Sequence, residues 1–135
     1  MVDTEVVDVE TITPKSTRAK ARHHEFIVDK PSGTDRGPMS SEYWAAALAS
    51  CHITTAHKVA ERRRQSIEKI SITATTTIDG DFITKVFLDI RVVSSLSAED
   101  VDTVFRLTER ICTISRATNV PVERRIQLVA AKHAA

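Results

Sequence analysis

The chain has 135 residues, of which 41% are hydrophobic, 27% charged and only 4% aromatic. That length and balance fit one globular domain and exclude a disordered chain, and no apolar run is long enough to cross a membrane. Lys and Arg exceed Asp and Glu by 19 to 18, and this net +1, with so few aromatics, argues against nucleic acid or an anionic membrane as partner.

The first third reads as extended chain. Glu5 to Thr13 and His24 to Asp29 alternate apolar and polar residues in short runs on either side of Pro14, which predicts a pair or trio of half-buried strands. Lys30 to Pro38 (KPSGTDRGP) is a loop by composition, with Gly33, Gly37, Pro31 and Pro38. From Ser41 to about Arg64 there is neither Gly nor Pro, and Trp44, Ala47, Leu48, Cys51, Thr55 and Val59 follow the spacing of one buried helical stripe. Ser40 or Ser41 is the expected cap, with Glu42 in the first turn and Arg62, Arg63 and Arg64 in the last, where the helix dipole favours each. The alanine-rich run before Cys51 predicts close packing on both sides of this helix.

A hairpin follows. Ile70, Ile72, Ala74, Thr76 and Ile78 alternate, Asp79-Gly80 offers a tight turn, and Phe82, Val86, Leu88, Ile90 and Val92 alternate back. Ser97 with Asp100 resembles a capping box opening a second helix. Val101, Val104, Phe105, Thr108, Ile111, Cys112 and Ser115 lie along one of its sides. Asn119-Val120-Pro121 ends that helix, and Val122 to Val129 predicts a closing strand. The order ββ(β)-α-ββ-α-β is α+β, with a largely antiparallel sheet around the central Cys-bearing helix.

The chemistry centres on the two cysteines, each expected within a helix on its buried side. The acidic start MVDTEVVDVE lacks the basic residues and apolar core of a secretory signal, so both thiols are expected in a reducing, cytoplasmic setting. Their separation of 61 positions excludes a CxxC motif but not a meeting in space. A free Cys on an apolar stripe often acts as a small hydrophobe, so periodicity leaves inert and reactive readings open. No metal is expected from His23, His24, His52 and His57, because His52 and His57 point to different sides of one helix. Gly33 to Gly37 matches no phosphate-binding loop, and no cofactor is expected.

Val28 to Cys51 (VDKPSGTDRGPMSSEYWAAALASC) resembles the signature of the OsmC/Ohr family of thiol peroxidases: an Asp-x-Pro loop, a Gly-containing turn, Gly-Pro, a Glu at a helix start, and an Ala-rich run ending in Cys. Ile111-Cys112-Thr113-Ile114-Ser115 resembles the family's second Cys segment, and the resemblance covers most of residues 22–129. It implies a single OsmC-like domain over residues 1–135, with 1–22 as an N-terminal strand or arm and 23–129 as the motif-bearing core. It also implies an intertwined homodimer that reduces organic hydroperoxides or hydrogen peroxide. In that scheme Cys51 attacks, Cys112 resolves the sulfenic acid as a disulfide, and a dithiol reductant such as a lipoylated protein reopens it. The family's thiolate is held by an Arg paired with a Glu. Arg22 matches that Arg best, with Arg18 and Arg36 as alternatives, and Glu42 is the matching acid. Glu42 lies nine positions before Cys51, about half a turn out of phase on a continuous helix. Ser40, Ser41 and Trp44 depart from the family pattern. The alternative is a non-catalytic dimer of the same fold, binding a small molecule or purely structural, with inert cysteines.

Overall fold

The computed structural model describes residues 2–131, which divide into two compact units at Trp44 and Ala45. In the first unit, β1 (Val7–Thr13), β2 (Ser16–Ala21) and β3 (His24–Val28) form an antiparallel meander in that order. Sequence patterning left the middle strand open because STRAKA has no apolar alternation. Its place is set instead by turns at both ends. Pro14 and Lys15 turn the chain after β1, with Thr13 Oγ1 and Ser16 Oγ 2.7 Å apart, and Arg22 opens the next turn at a φ of 57°.

Asp29 then organises the loop. Its side chain is buried and accepts hydrogen bonds from the Thr34 hydroxyl at 2.6 Å, the Lys30 N–H at 2.7 Å and the Arg36 N–H at 3.1 Å. These donors hold its carboxyl below the usual carboxylate range, the Thr34 hydroxyl contributing most. Gly37 is required here, because a Cβ would collide with the Ile27 carbonyl.

α1 (Ser40–Arg62) starts one residue earlier than expected, and Met39 rather than a serine precedes its first turn. The Met39 N–H donates to Glu42 Oε1 at 2.9 Å, half of a capping box. The buried stripe is Ala45, Leu48, His52, Ala56, Val59 and Ala60. It is rotated from the expected one, which leaves Cys51 and Thr55 half-buried at its edge and Ala46 and Ala47 exposed.

In the second unit, β4 (Lys69–Asp79) and β5 (Phe82–Ser94) pair antiparallel through a two-residue loop with Gly80 at a φ of 60°. Val86, Leu88, Ile90 and Val92, alternate residues in the later part of β5, are fully buried, as are Val101, Val104, Phe105 and Thr108 of α2 (Ala98–Ile111). Ser97 caps α2 as expected, accepting from the Asp100 N–H at 3.1 Å. The final strand, β6 (Val122–Ala130), pairs with β5 in parallel, while the other described strand pairs are antiparallel, as expected of a largely antiparallel fold. One expectation needs correction. The second helix does not run through Cys112: α2 stops at Ile111, Cys112 is extended (φ −65°, ψ 117°), and a short α3 (Thr113–Ala117) begins beyond it. The fold is α+β with two three-stranded sheets, one antiparallel and one mixed.

Candidate active site

The extended backbone at Cys112 shapes the site. One residue closes α2, its N–H donating to Thr108 O at 2.8 Å, and opens α3, its carbonyl accepting from the Arg116 N–H at 3.0 Å. The first N–H groups of α3 are thereby left without helical partners. They act on Cys51.

Cys51 and Cys112 are both free thiols, the first half-buried and the second fully buried. Although 61 positions apart in sequence, the two side chains lie near enough for the ionisation of each to depend on the other. Burial pushes the Cys51 thiol up, but hydrogen bonds from the Cys112 thiol, the Ile114 N–H, the Thr55 hydroxyl and the Thr113 N–H together bring it below its ordinary value. Thr55 sits one turn along α1, with Oγ1 3.9 Å from Cys51 Sγ. Cys112 goes the other way: burial raises its thiol first, and the hydrogen bond with Cys51 raises it further. Paired groups whose ionisation is pushed apart suit a nucleophile and a thiol that waits its turn.

Sequence patterning missed His52. It is fully buried, and its Nδ1 lies 3.0 Å from the Leu48 carbonyl and 3.9 Å from Cys112 Sγ. Its Nε2 lies 3.3 Å from Ser115 Oγ. The signal was present in the sequence, since His52 follows Cys51 directly and lies four residues after Leu48, but the expected stripe was centred one residue away.

Of the other anticipated site residues, Arg22 and Glu42 belong to the first unit. Arg22 is exposed on the β2–β3 turn, and Glu42 closes the first turn of α1. Arg18 lies 3.7 Å from Glu10 and, with Arg36, Glu25, Phe26 and Tyr43, lines a cavity of 400 Å³. A second cavity, of 520 Å³, is lined by Ala98, Val101, Asp102, Arg124, Ile126 and Leu128 and holds neither cysteine. Among the described residues, no three His, Cys, Asp or Glu side chains converge as a metal site. Among the described residues, no helix is long and apolar enough to cross a membrane.

Several solved structures share this architecture. The OsmC-like protein of Mycoplasma pneumoniae matches with a TM-score of 0.87 at 16% identity, covering 96% of this chain and 99% of its own. An organic hydroperoxide resistance protein OsmC from Legionella pneumophila matches with a TM-score of 0.73 at 15% identity, covering 95% and 98%. The organic hydroperoxide resistance protein OhrB of Bacillus subtilis matches with a TM-score of 0.71 at 19% identity, covering 94% and 98%. At these identities the likeness is one of fold. No curated protein matches the chain. The family model for OsmC-like proteins matches residues 33–125, a span that holds the central helix and both thiols, and the chain belongs to the OsmC-like family.

Proposed function

We propose that the protein is a thiol-dependent peroxidase that reduces organic hydroperoxides or hydrogen peroxide. One observation carries this reading: two free cysteines distant in sequence influence each other's ionisation, which is favoured at the half-buried Cys51 and disfavoured at the buried Cys112. In the scheme, the Cys51 thiolate attacks one peroxide oxygen, the O–O bond breaks, and an alcohol or water leaves. The Cys51 sulfenic acid then meets Cys112, which displaces hydroxide to form a disulfide, and a dithiol reductant such as a lipoylated protein restores both thiols. The names of the Legionella and Bacillus relatives support the peroxide as substrate.

An arginine completes the scheme by holding charge at the reacting oxygen and sulfur. Arg22 is assigned this place and Glu42 the orienting one, with Arg18 and Arg36 as alternatives. The reaction is assigned to a homodimer in a reducing, cytoplasmic compartment.

The test is a titration of the reduced protein with cumene hydroperoxide, followed by free-thiol assay and intact mass. One equivalent is expected to consume about two thiols per chain and remove two hydrogens, as disulfide formation requires. Retention of both thiols overturns the reading. Alanine variants of Arg22, Arg18 and Arg36, each titrated in the same way, identify the arginine by the slowest thiol loss.

A further inference from the structure

Two arginines of the first unit face one cavity with little carboxylate to pair with. We propose that this cavity, beside β3 and the start of α1, binds an organic carboxylate. Arg18 and Arg36 hold the anionic head, and Ile27, Pro38 and Tyr43 lie against the apolar body. The inference goes beyond the peroxide scheme, which uses either arginine only in place of Arg22.

Ile27 brings the walls of the cavity together. It stands opposite Arg18 in the β2–β3 ladder, so the two side chains share a face of the sheet. The loop returns to the same point. Gly37 lies so close to the Ile27 carbonyl that it admits no Cβ, and this sets the preceding residue, Arg36, beside it. The Tyr43 hydroxyl donates to the same carbonyl at 2.9 Å. Arg18 and Arg36 therefore line the same cavity of 400 Å³ as Ile27, Pro38 and Tyr43. Both also line a smaller one of 190 Å³ that reaches Asp29 and Thr34. The larger volume falls among those of small-ligand sites, about 300–1,000 Å³.

Charge decides the class of ligand. Among the described residues, the Arg36 guanidinium is in no ion pair. Arg18 has only Glu10, at 3.7 Å, and a pair so exposed contributes little. In the larger cavity the two arginines are opposed by Glu25 alone, which lies 3.3 Å from Lys20, its cross-strand partner. Asp29, in the smaller cavity, has its oxygens taken by the Lys30 and Arg36 N–H groups and the Thr34 hydroxyl, not by a guanidinium. Like charges that share a cavity raise each other's energy, and an anion between them relieves both. A carboxylate suits the guanidinium fork, because its two oxygens accept parallel N–H bonds. Ile27 and Pro38 are apolar and the Tyr43 hydroxyl is already engaged, so these walls favour an apolar body over a bare inorganic ion.

The test is calorimetric titration of the reduced protein with 2-naphthoate at low ionic strength, beside the neutral 2-naphthalenemethanol and inorganic phosphate. One naphthoate per chain is expected to bind, about tenfold or more tighter than the alcohol or phosphate, and to weaken as sodium chloride is added. Arg36→Gln and Arg18→Gln should each weaken it about tenfold. Arg36→Lys keeps the charge but loses the fork, and should fall between the wild type and Arg36→Gln. Arg91→Gln, at an exposed arginine of the second unit, should leave the affinity unchanged. Circular dichroism melts on the same samples check the fold of each variant. Absence of saturable naphthoate binding overturns the proposal. So does equal binding of the alcohol, phosphate bound as tightly as naphthoate, or wild-type affinity in both glutamine variants. The peroxide reading stands or falls separately, on thiol loss in the hydroperoxide titration.

Discussion

Cys51 shows how individual neighbours set reactivity. No cation of the second unit is needed to bring its thiol below the ordinary value, because uncharged donors from Cys112, Ile114, Thr55 and Thr113 offset the burial. The first of these comes from the partner thiol itself. Cys112→Ala should therefore raise the Cys51 thiol and slow its alkylation by iodoacetamide at neutral pH. Cys112→Ser keeps a hydroxyl donor in place and should raise it less. The two pH profiles of alkylation separate these cases, and equal profiles for both variants would mean that the Cys112 hydrogen bond is not what holds Cys51 down. In hydroperoxide, Cys112→Ser should complete one turnover and then accumulate sulfenic and sulfinic acid at Cys51, seen as added oxygen by intact mass. Cys51→Ser should consume no peroxide at all.

The elements carry these residues through two local devices, the Asp29 loop and the α2–α3 break. Asp29 accepts three hydrogen bonds from Lys30, Thr34 and Arg36, and its carboxyl is lowered in the folded chain. A lowered carboxyl contributes stability that is complete above its unfolded value, about pH 4, and is lost as the pH falls through the folded one. Asp29→Asn should reduce the melting temperature at neutral pH and flatten its decline as the pH falls below about 4. Gly37→Ala should cost about 1–3 kcal/mol in chemical denaturation, because its Cβ meets the Ile27 carbonyl and the backbone must shift. At the α2–α3 break, Thr113 is the first residue of α3, where proline is tolerated, and Cys112 before it is already extended, as a residue preceding proline must be. Thr113→Pro should leave the melting temperature unchanged or higher while removing one donor to Cys51. The thiol should then rise, but less than in Cys112→Ala. Much of this scale was legible in the sequence: the Ser97 cap, the Gly80 hairpin and the β5 alternation follow from local rules. The break at Cys112 was not, because Ile111 to Ser115 contains no Gly or Pro and continues the helical spacing. The rotation of the α1 stripe was hidden for a similar reason. With alanines on every side, the position of His52 rather than Cys51 in the core depends on which neighbours the helix meets.

At the scale of the whole molecule, what a single chain leaves uncovered argues for the homodimer. Among the described residues, strand β1 has only β2 beside it, so its outer edge is unpaired there, and Val7 and Val9 are 54% and 60% exposed. Ile12, at the bulge between Thr11 and Thr13, is 39% exposed. The β4–β5 hairpin end adds Ile78 at 51% and Phe82 at 75%. A lone chain that shows an open strand edge with exposed apolar residues is prone to pair with another. The net charge of +1 offers little repulsion between copies. A stable homodimer buries on the order of 1,600 Å² or more, and its apolar core would need to include these side chains. Light scattering at micromolar concentration should therefore give twice the chain mass. The double variant Val7→Asp, Val9→Asp should shift the equilibrium toward single chains without unfolding the second unit, which has buried residues of its own on β5 and α2. Circular dichroism on the same samples checks that the fold survives, and a single-chain mass for the wild type would remove the dimer from the scheme.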